Sequence, residues 1–198
     1  DAGENYTIPI STPFQLEGLG NVRAGTASYT WEQRNTEQAI MPPLSNNTGG
    51  PLFRSLPPES QPFRCFPAIN TLLNGELGST WEQLPSVERQ LNFAFTVRDN
   101  NTFGGQIGID EMSISVSEDA GPFFVTSQAV SEVFHAGESK LIEWEVANTN
   151  KAPVSASKVD VSFLYQKHKF RILALDAEPK SSYLVFCMGM IRYKLQNG

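Results

Sequence analysis

Residues Leu91 to Asn100, LNFAFTVRDN, constrain the fold more than any other stretch of this chain. Leu91, Phe93, Phe95 and Val97 fall on one side of an extended strand, and Asn92, Thr96 and Arg98 on the other, with small Ala94 between them. Such a strand has one face in a core. It runs into Asp99, Asn100 and Asn101 and then Gly104-Gly105, which is turn chemistry, before a second apolar run of Ile107, Ile109, Met112, Ile114 and Val116. The expectation is a β-hairpin at the centre of a sheet.

A chain of 198 residues fits two modules, each able to bury its own core. Charged residues are 18%, below the roughly 25% usual in globular proteins, while turn-forming residues are plentiful. Many short strands joined by turns follow, and hence an all-β class. A net charge of -6 without clustered Lys and Arg excludes a nucleic-acid footprint, because phosphate binding needs clustered cations. The densest basic run, Lys167 to Arg171, reads as a solvated hairpin. No apolar run approaches 18 residues, so no membrane-spanning helix is expected, and no charged-then-apolar start resembling a signal peptide is read. Its two cysteines, Cys65 and Cys187, lie in different expected modules, so no bridge between them and no disulfide framework is predicted. Both ends read as cuts in something larger.

In chain order, Tyr6 to Ile10 and Pro13 to Gly18 are two short extended pieces, restricted by Pro9 and Pro13 to edge or first-strand positions. Ala27 to Gln33 alternates with Ala27, Tyr29 and Trp31 inward, as a central aromatic strand with Trp31 a core anchor. From about 34 to 90 the period disappears among prolines, glycines and asparagines, yet Leu52, Phe53, Leu56, Phe63, Phe66, Ile69, Leu72, Leu73, Trp81 and Leu84 supply apolar surface that a disordered linker would lack. An ordered insertion wrapped over the sandwich is expected, with a helical turn near Leu84 to Glu88. Ser117 to Pro122 marks the boundary. Beyond it, Phe123 to Ser127, Leu141 to Ala147, Lys158 to Tyr165, Arg171 to Leu175, Ser182 to Cys187 and Ile191 to Leu195 are expected strands of an Ig-like or fibronectin-like sandwich. The fold expected is two tandem Ig-like or fibronectin-like β-sandwich modules: a polycystic-kidney-disease-like first module over 1–121 with its insertion at about 34–90, and a second over 122–198, truncated at its C-terminus.

The blocks IPISTPFQLEG, SYTWEQ, GPLFRSLPP with RCFP, LPSVERQLNFAFTVRDN, GPFFVTS and IEWEVANTNKAPV with KVDV occur in this order over most of residues 8 to 164. Together they resemble the region that follows the catalytic domain in bacterial secreted zinc metalloproteases of the reprolysin-like type. The second module is also similar to the small β-sandwich of fungal cell-wall synthesis proteins. The first resemblance implies a secreted or cell-surface, non-catalytic accessory region. Its partner would be its own upstream catalytic domain, where the Zn²⁺ would reside, with a protein or polysaccharide substrate beyond. Two stretches depart from the family. Gly20 to Gly25 carries no carboxylate where such domains often have an Asp-rich turn, which argues against calcium there, since Ca²⁺ takes six to eight oxygens. Leu164 to Phe170 replaces a Ser-Thr-Asp-Gly-Gly hairpin.

A zinc protease needs His-Glu-x-x-His on one helix face. This chain has only His135 and His168, in separate segments, and no Gly-x-Ser-x-Gly nucleophile elbow. It is therefore read as no enzyme. Its acidic pairs are Asp110 with Glu111, Glu118 with Asp119, Glu132 with Glu138, and Glu143 with Glu145, the last on the solvated side of one strand. Should a cation such as Ca²⁺ bind, Asp99, Asn100 and Asp110 around the hairpin are its candidate ligands, although Asp99 also suits capping its own turn. The sequons at Asn5, Asn46 and Asn100 read as turn asparagines in a bacterial protein. A second functional reading is an adhesion or carbohydrate-binding module, with Phe53, Phe63, Phe66 and Trp81 as its platform; packing onto the sandwich is the competing fate of those rings.

Overall fold

The computed structural model describes residues 1–127 and 143–157, and the backbone of 162–165 and 168–171. The expected strands at Ser182 to Cys187 and Ile191 to Leu195, together with His135, Glu132, Glu138 and Cys187, lie outside the described residues. The described residues are all-β, with strands β1 (Tyr6–Pro9), β2 (Phe14–Glu17), β3 (Ser28–Gln33) and β4 (Phe63–Phe66), then a five-residue helix α1 (Ile69–Leu73). The short pair β5 (Gly78–Ser79) and β6 (Glu82–Gln83) leads into the long strands β7 (Arg89–Arg98) and β8 (Ile107–Ser117). After them come β9 (Phe124–Val125), β10 (Trp144–Glu145), β11 (Ser162–Tyr165) and β12 (His168–Arg171).

The hairpin foreseen at Leu91 is the spine of the fold. β7 and β8 pair antiparallel over ten residue pairs, from Arg89 opposite Val116 to Arg98 opposite Ile107. Around them a four-stranded sheet forms in the order β1-β8-β7-β3. β1 lies parallel to β8 at one edge, with Pro9 at its last position, where a missing N–H costs no ladder bond. The aromatic strand β3 sits at the opposite edge, which corrects the expectation of a central position. Its outer side carries one isolated bridge, Tyr29 to Glu59, formed by a residue of the insertion.

Opposite this sheet lies the antiparallel pair β2-β4, so the irregular segment 34–90 supplies half of the second layer. Leu91, Phe93 and Phe95 from β7, with Met112, Ile114 and Val116 from β8, meet Phe14, Leu16, Phe53 and Phe66 in one core. Phe66 is fully buried and lies 4.9 Å from both Phe14 and Phe93, while Phe53 meets it edge-on at 5.0 Å. Packing these rings contributes directional contacts beyond their apolar area. Trp31 is a core anchor, as expected: it is buried 4.8 Å from Phe95, and its indole N–H donates to the Pro62 carbonyl.

Irregular backbone in a core needs partners for its polar groups, and two buried arginines provide them. Arg64 Nη1 donates to the Trp31 carbonyl at 2.6 Å, and Nη2 donates to the Arg54 carbonyl at 2.7 Å and to Glu82 Oε1 at 2.9 Å. Glu82 Oε2 accepts the Ala68 N–H, and the guanidinium lies 4.5 Å above the Phe66 ring. Arg89 grips the loop ahead of Leu52, donating to the carbonyls of Asn47 and Gly50 at 2.6 Å. Burial lowers the pKa of both guanidinium groups, a shift that the Glu82 carboxylate opposes at Arg64.

The helical turn expected at Leu84 to Glu88 is absent, and the helix occurs instead at α1. The reason is that the 84–88 backbone pairs elsewhere. Pro85 accepts from Ser11 N–H, Ser86 N–H donates to Ser45, and Glu88 N–H donates to the Glu118 carboxylate. Cys65 is disulfide-bonded, which corrects the expectation that it stays unpaired. Past Ser117 the chain keeps contact with the same core. Gly121 N–H donates to the Ala147 carbonyl, Phe123 N–H donates to Thr12 Oγ1, and Val154 joins the central cluster. Trp144 and Val146 are half-buried with Glu143 and Glu145 exposed, as the alternation implied.

Removing one partner of a buried ion pair leaves the other charge uncompensated, at a cost of about 3–5 kcal/mol. Glu82→Gln is therefore expected to lower the unfolding free energy by about 3 kcal/mol in urea titration. A loss below about 0.5 kcal/mol, the level of an ordinary surface substitution, would contradict the assigned role.

Candidate functional site

The far end of the hairpin differs from its base. β7 and β8 pair in continuous register, so Ile107 and Ile109 must face opposite to Met112, Ile114 and Val116. The apolar run of β8 changes phase between Ile109 and Met112, and that phase change is visible in the sequence. Met112, Ile114 and Val116 enter the core, whereas Ile107 and Ile109 are 61% and 62% exposed. Phe103 at the tip is 98% exposed, and Leu19, across from the hairpin, is 70% exposed. Exposed apolar side chains gathered at one end of a domain are a recurring mark of interaction surfaces.

Between this hairpin end and the 19–24 loop lies a cleft of about 830 Å³. The loop can lie so low because Gly18 and Gly20 lack side chains. A Cβ at Gly20 would come within 2.6 Å of a Val97 methyl, and one at Gly18 would run into the Phe95 ring. Half-buried Val97 thus forms an apolar floor, with Arg23, Asp99 and Asp110 among the polar groups of the walls.

The three candidate cation ligands are separated and engaged. Asp99 Oδ1 accepts the N–H groups of Asn101 at 3.2 Å and Gln106 at 2.9 Å, closing its own turn. Asn100 adopts a left-handed φ of 47°, and its Nδ2 donates to the Thr26 carbonyl and Ser28 Oγ. Asp110 Oδ2 accepts the Ala2 N–H at 2.8 Å and Oδ1 accepts the Glu111 N–H, with the amino terminus 3.9 Å away. Asp99 pairs with Gln106 and Asp110 with Phe95, four ladder steps apart, or about 13 Å at about 3.3 Å per residue. One Ca²⁺, bound by oxygens at about 2.4 Å, does not bridge that gap. Among the described residues no three His, Cys, Asp or Glu side chains converge on a common point.

No protein-family model, curated protein or solved structure matches the chain. No helix among the described residues is long and apolar enough to cross a membrane. Of the other sequence candidates, Phe53 and Phe66 are core residues and leave the proposed aromatic platform, Phe63 is half-buried, and Trp81 remains 45% exposed. Glu118 and Glu145 accept backbone N–H groups of Glu88 and Ala147. Asn5 Oδ1 accepts the Ser113 N–H, so the sequon side chains at Asn5 and Asn100 both brace the hairpin.

Backbone N–H donors hold the Asp110 carboxyl below the usual carboxylate range, and the N–H groups of Glu37 itself and Gly50 do the same for Glu37. Each therefore binds its proton less tightly in the folded chain than in the unfolded one. The stability they add is present above the ordinary carboxylate pKa of about 4 and is lost as pH falls through their lower folded values. The urea midpoint should decline across that acid window, and the pair Asp110→Asn with Glu37→Gln should flatten the decline. An unchanged acid slope in the double variant would refute this linkage.

Proposed function

We propose that this chain is a non-catalytic accessory region of a secreted bacterial zinc metalloprotease of the reprolysin-like type. It stabilises or positions the upstream catalytic domain, or engages its substrate. The tandem division into Ig-like or fibronectin-like modules over 1–121 and 122–198 belongs to the same proposal. One observation carries it. Among the described residues, charged groups at the core and the hairpin hold the fold: Arg64 with Glu82, Arg89 with the 47–50 carbonyls, and Asp99 and Asp110 with backbone N–H groups. What faces outward at the hairpin end is apolar contact surface. That combination suits a rigid body used for contact. The ordered block pattern from IPISTPFQLEG to KVDV is what ties it to proteases in particular.

The adhesion or carbohydrate reading retains only Trp81 as a markedly exposed member of its four-ring platform. Sequencing the locus upstream of this chain separates the two. The accessory reading expects an in-frame His-Glu-x-x-His-x-x-Gly-x-x-His segment, whose two helical histidines and third His bind one Zn²⁺ while the Glu activates water. A continuous upstream reading frame lacking it would sink the protease assignment.

A further inference from the structure

The edge of β8 beyond β1 offers unpaired backbone donors. The Asp99 N–H donates to the Gln106 carbonyl, and the register then directs the backbone of Gly108, Asp110 and Met112 toward β7. The N–H groups of Ile107, Ile109, Glu111 and Ser113 point the other way. β1 covers this edge only from Ile114 to Ser117, Asn5 caps the Ser113 N–H, and Asp110 caps that of Glu111. Among the described residues the N–H groups of Ile107 and Ile109 have no strand beside them. Natural sheets usually blunt such an edge with lysine or proline, and here it carries two exposed isoleucines instead.

This edge opens directly on the cleft, whose walls bear the carboxylates of Asp1, Asp99 and Asp110 against Arg23, an excess of negative charge. Its floor, half-buried Val97, is apolar. We infer that the cleft docks an extended peptide segment carrying a lysine or arginine flanked by β-branched residues. The segment adds a short strand beside Ile107 to Ile109, accepts their N–H groups through its carbonyls, packs its apolar side chains against Ile107 and Ile109 on one face, and places its cation against Asp110 on the other. This rests on the accessory reading and narrows its substrate-engaging branch to protein.

The test uses the whole 198-residue chain, ¹⁵N-labelled, titrated with the blocked hexapeptide Thr-Val-Lys-Val-Thr-Val and with its counterpart bearing Glu for Lys. The lysine peptide is expected to shift the amides of Ile107, Gly108 and Ile109 and to bind at least about tenfold tighter than the glutamate peptide. Asp110→Asn should cut that preference to less than about threefold. Ile109→Pro, which removes an edge donor without touching the β7 ladder, should abolish binding. Should that variant fail to fold, Ile107→Lys with Ile109→Lys, both at exposed positions, removes the apolar packing and sets like charge against the lysine peptide, and should weaken its binding at least about tenfold. No binding at millimolar peptide, equal binding of the two peptides, or indifference to these variants would overturn the inference. So would the same amide shifts produced by cellohexaose in place of peptide. Peptide binding without an upstream protease gene would keep the cleft and dismiss only the parent assignment; an upstream protease gene without binding would do the reverse.

Discussion

The guanidinium of Arg64 is the contact on which the rest of the structure depends. It reaches the backbone of β3 at Trp31, the insertion at Arg54, and the carboxylate of Glu82, and it rests on the ring of Phe66. Phe66 in turn packs between Phe14, Phe53 and Phe93, which belong to three different parts of the chain. A buried charge of this kind is tolerated only where its partners are fixed, because desolvation is costly and only well-placed acceptors offset it. The same requirement makes the pair specific. An insertion in another register would leave Arg64 or Glu82 alone in the core.

That dependence explains which parts of the fold are legible in the sequence. Period-two alternation is local, so β7, β8 and β3 can be read directly, and so can the half-buried alternation around Trp144. The insertion cannot, because its order comes from pairs distant in sequence. Arg64 meets Glu82, Trp31 meets Pro62, and Arg89 meets the 47–50 loop, and none of these leaves a period. The arginines of RCFP and SVERQL look like ordinary solvated cations. The edge position of β3 is illegible for a related reason: its outer neighbour is the irregular backbone at Glu59 rather than a strand.

The candidate site was partly legible. Asp99 was foreseen both as a cap of its own turn and as a cation ligand, and its two backbone donors match the first role. Asp110 looked close to Asp99 across a turn, yet the loop opens only after the ladder ends at Arg98 and Ile107, which sets them four steps apart. The cleft itself depends on the 19–24 loop crossing Val97, a tertiary contact allowed by Gly18 and Gly20. The one local signal was the phase change in β8, where Ile107 and Ile109 leave the face used by Met112, Ile114 and Val116. As part of a single apolar face, those isoleucines would belong to the core; by register, they stand exposed at the open end of β8.

If the insertion is a working half of the core, its amides must open only when the whole domain unfolds. Native-state hydrogen exchange measures this residue by residue. The informative amides are Leu52, bonded to Gln33 Oε1, and Ala68, bonded to Glu82 Oε2, compared with those of β7 at Leu91 and Phe93. The account predicts equal opening free energies, all falling together with denaturant. Exchange of Leu52 and Ala68 through a separate, lower-energy opening while β7 stays protected would contradict it, reducing segment 34–90 to a cover on a sheet that stands without it.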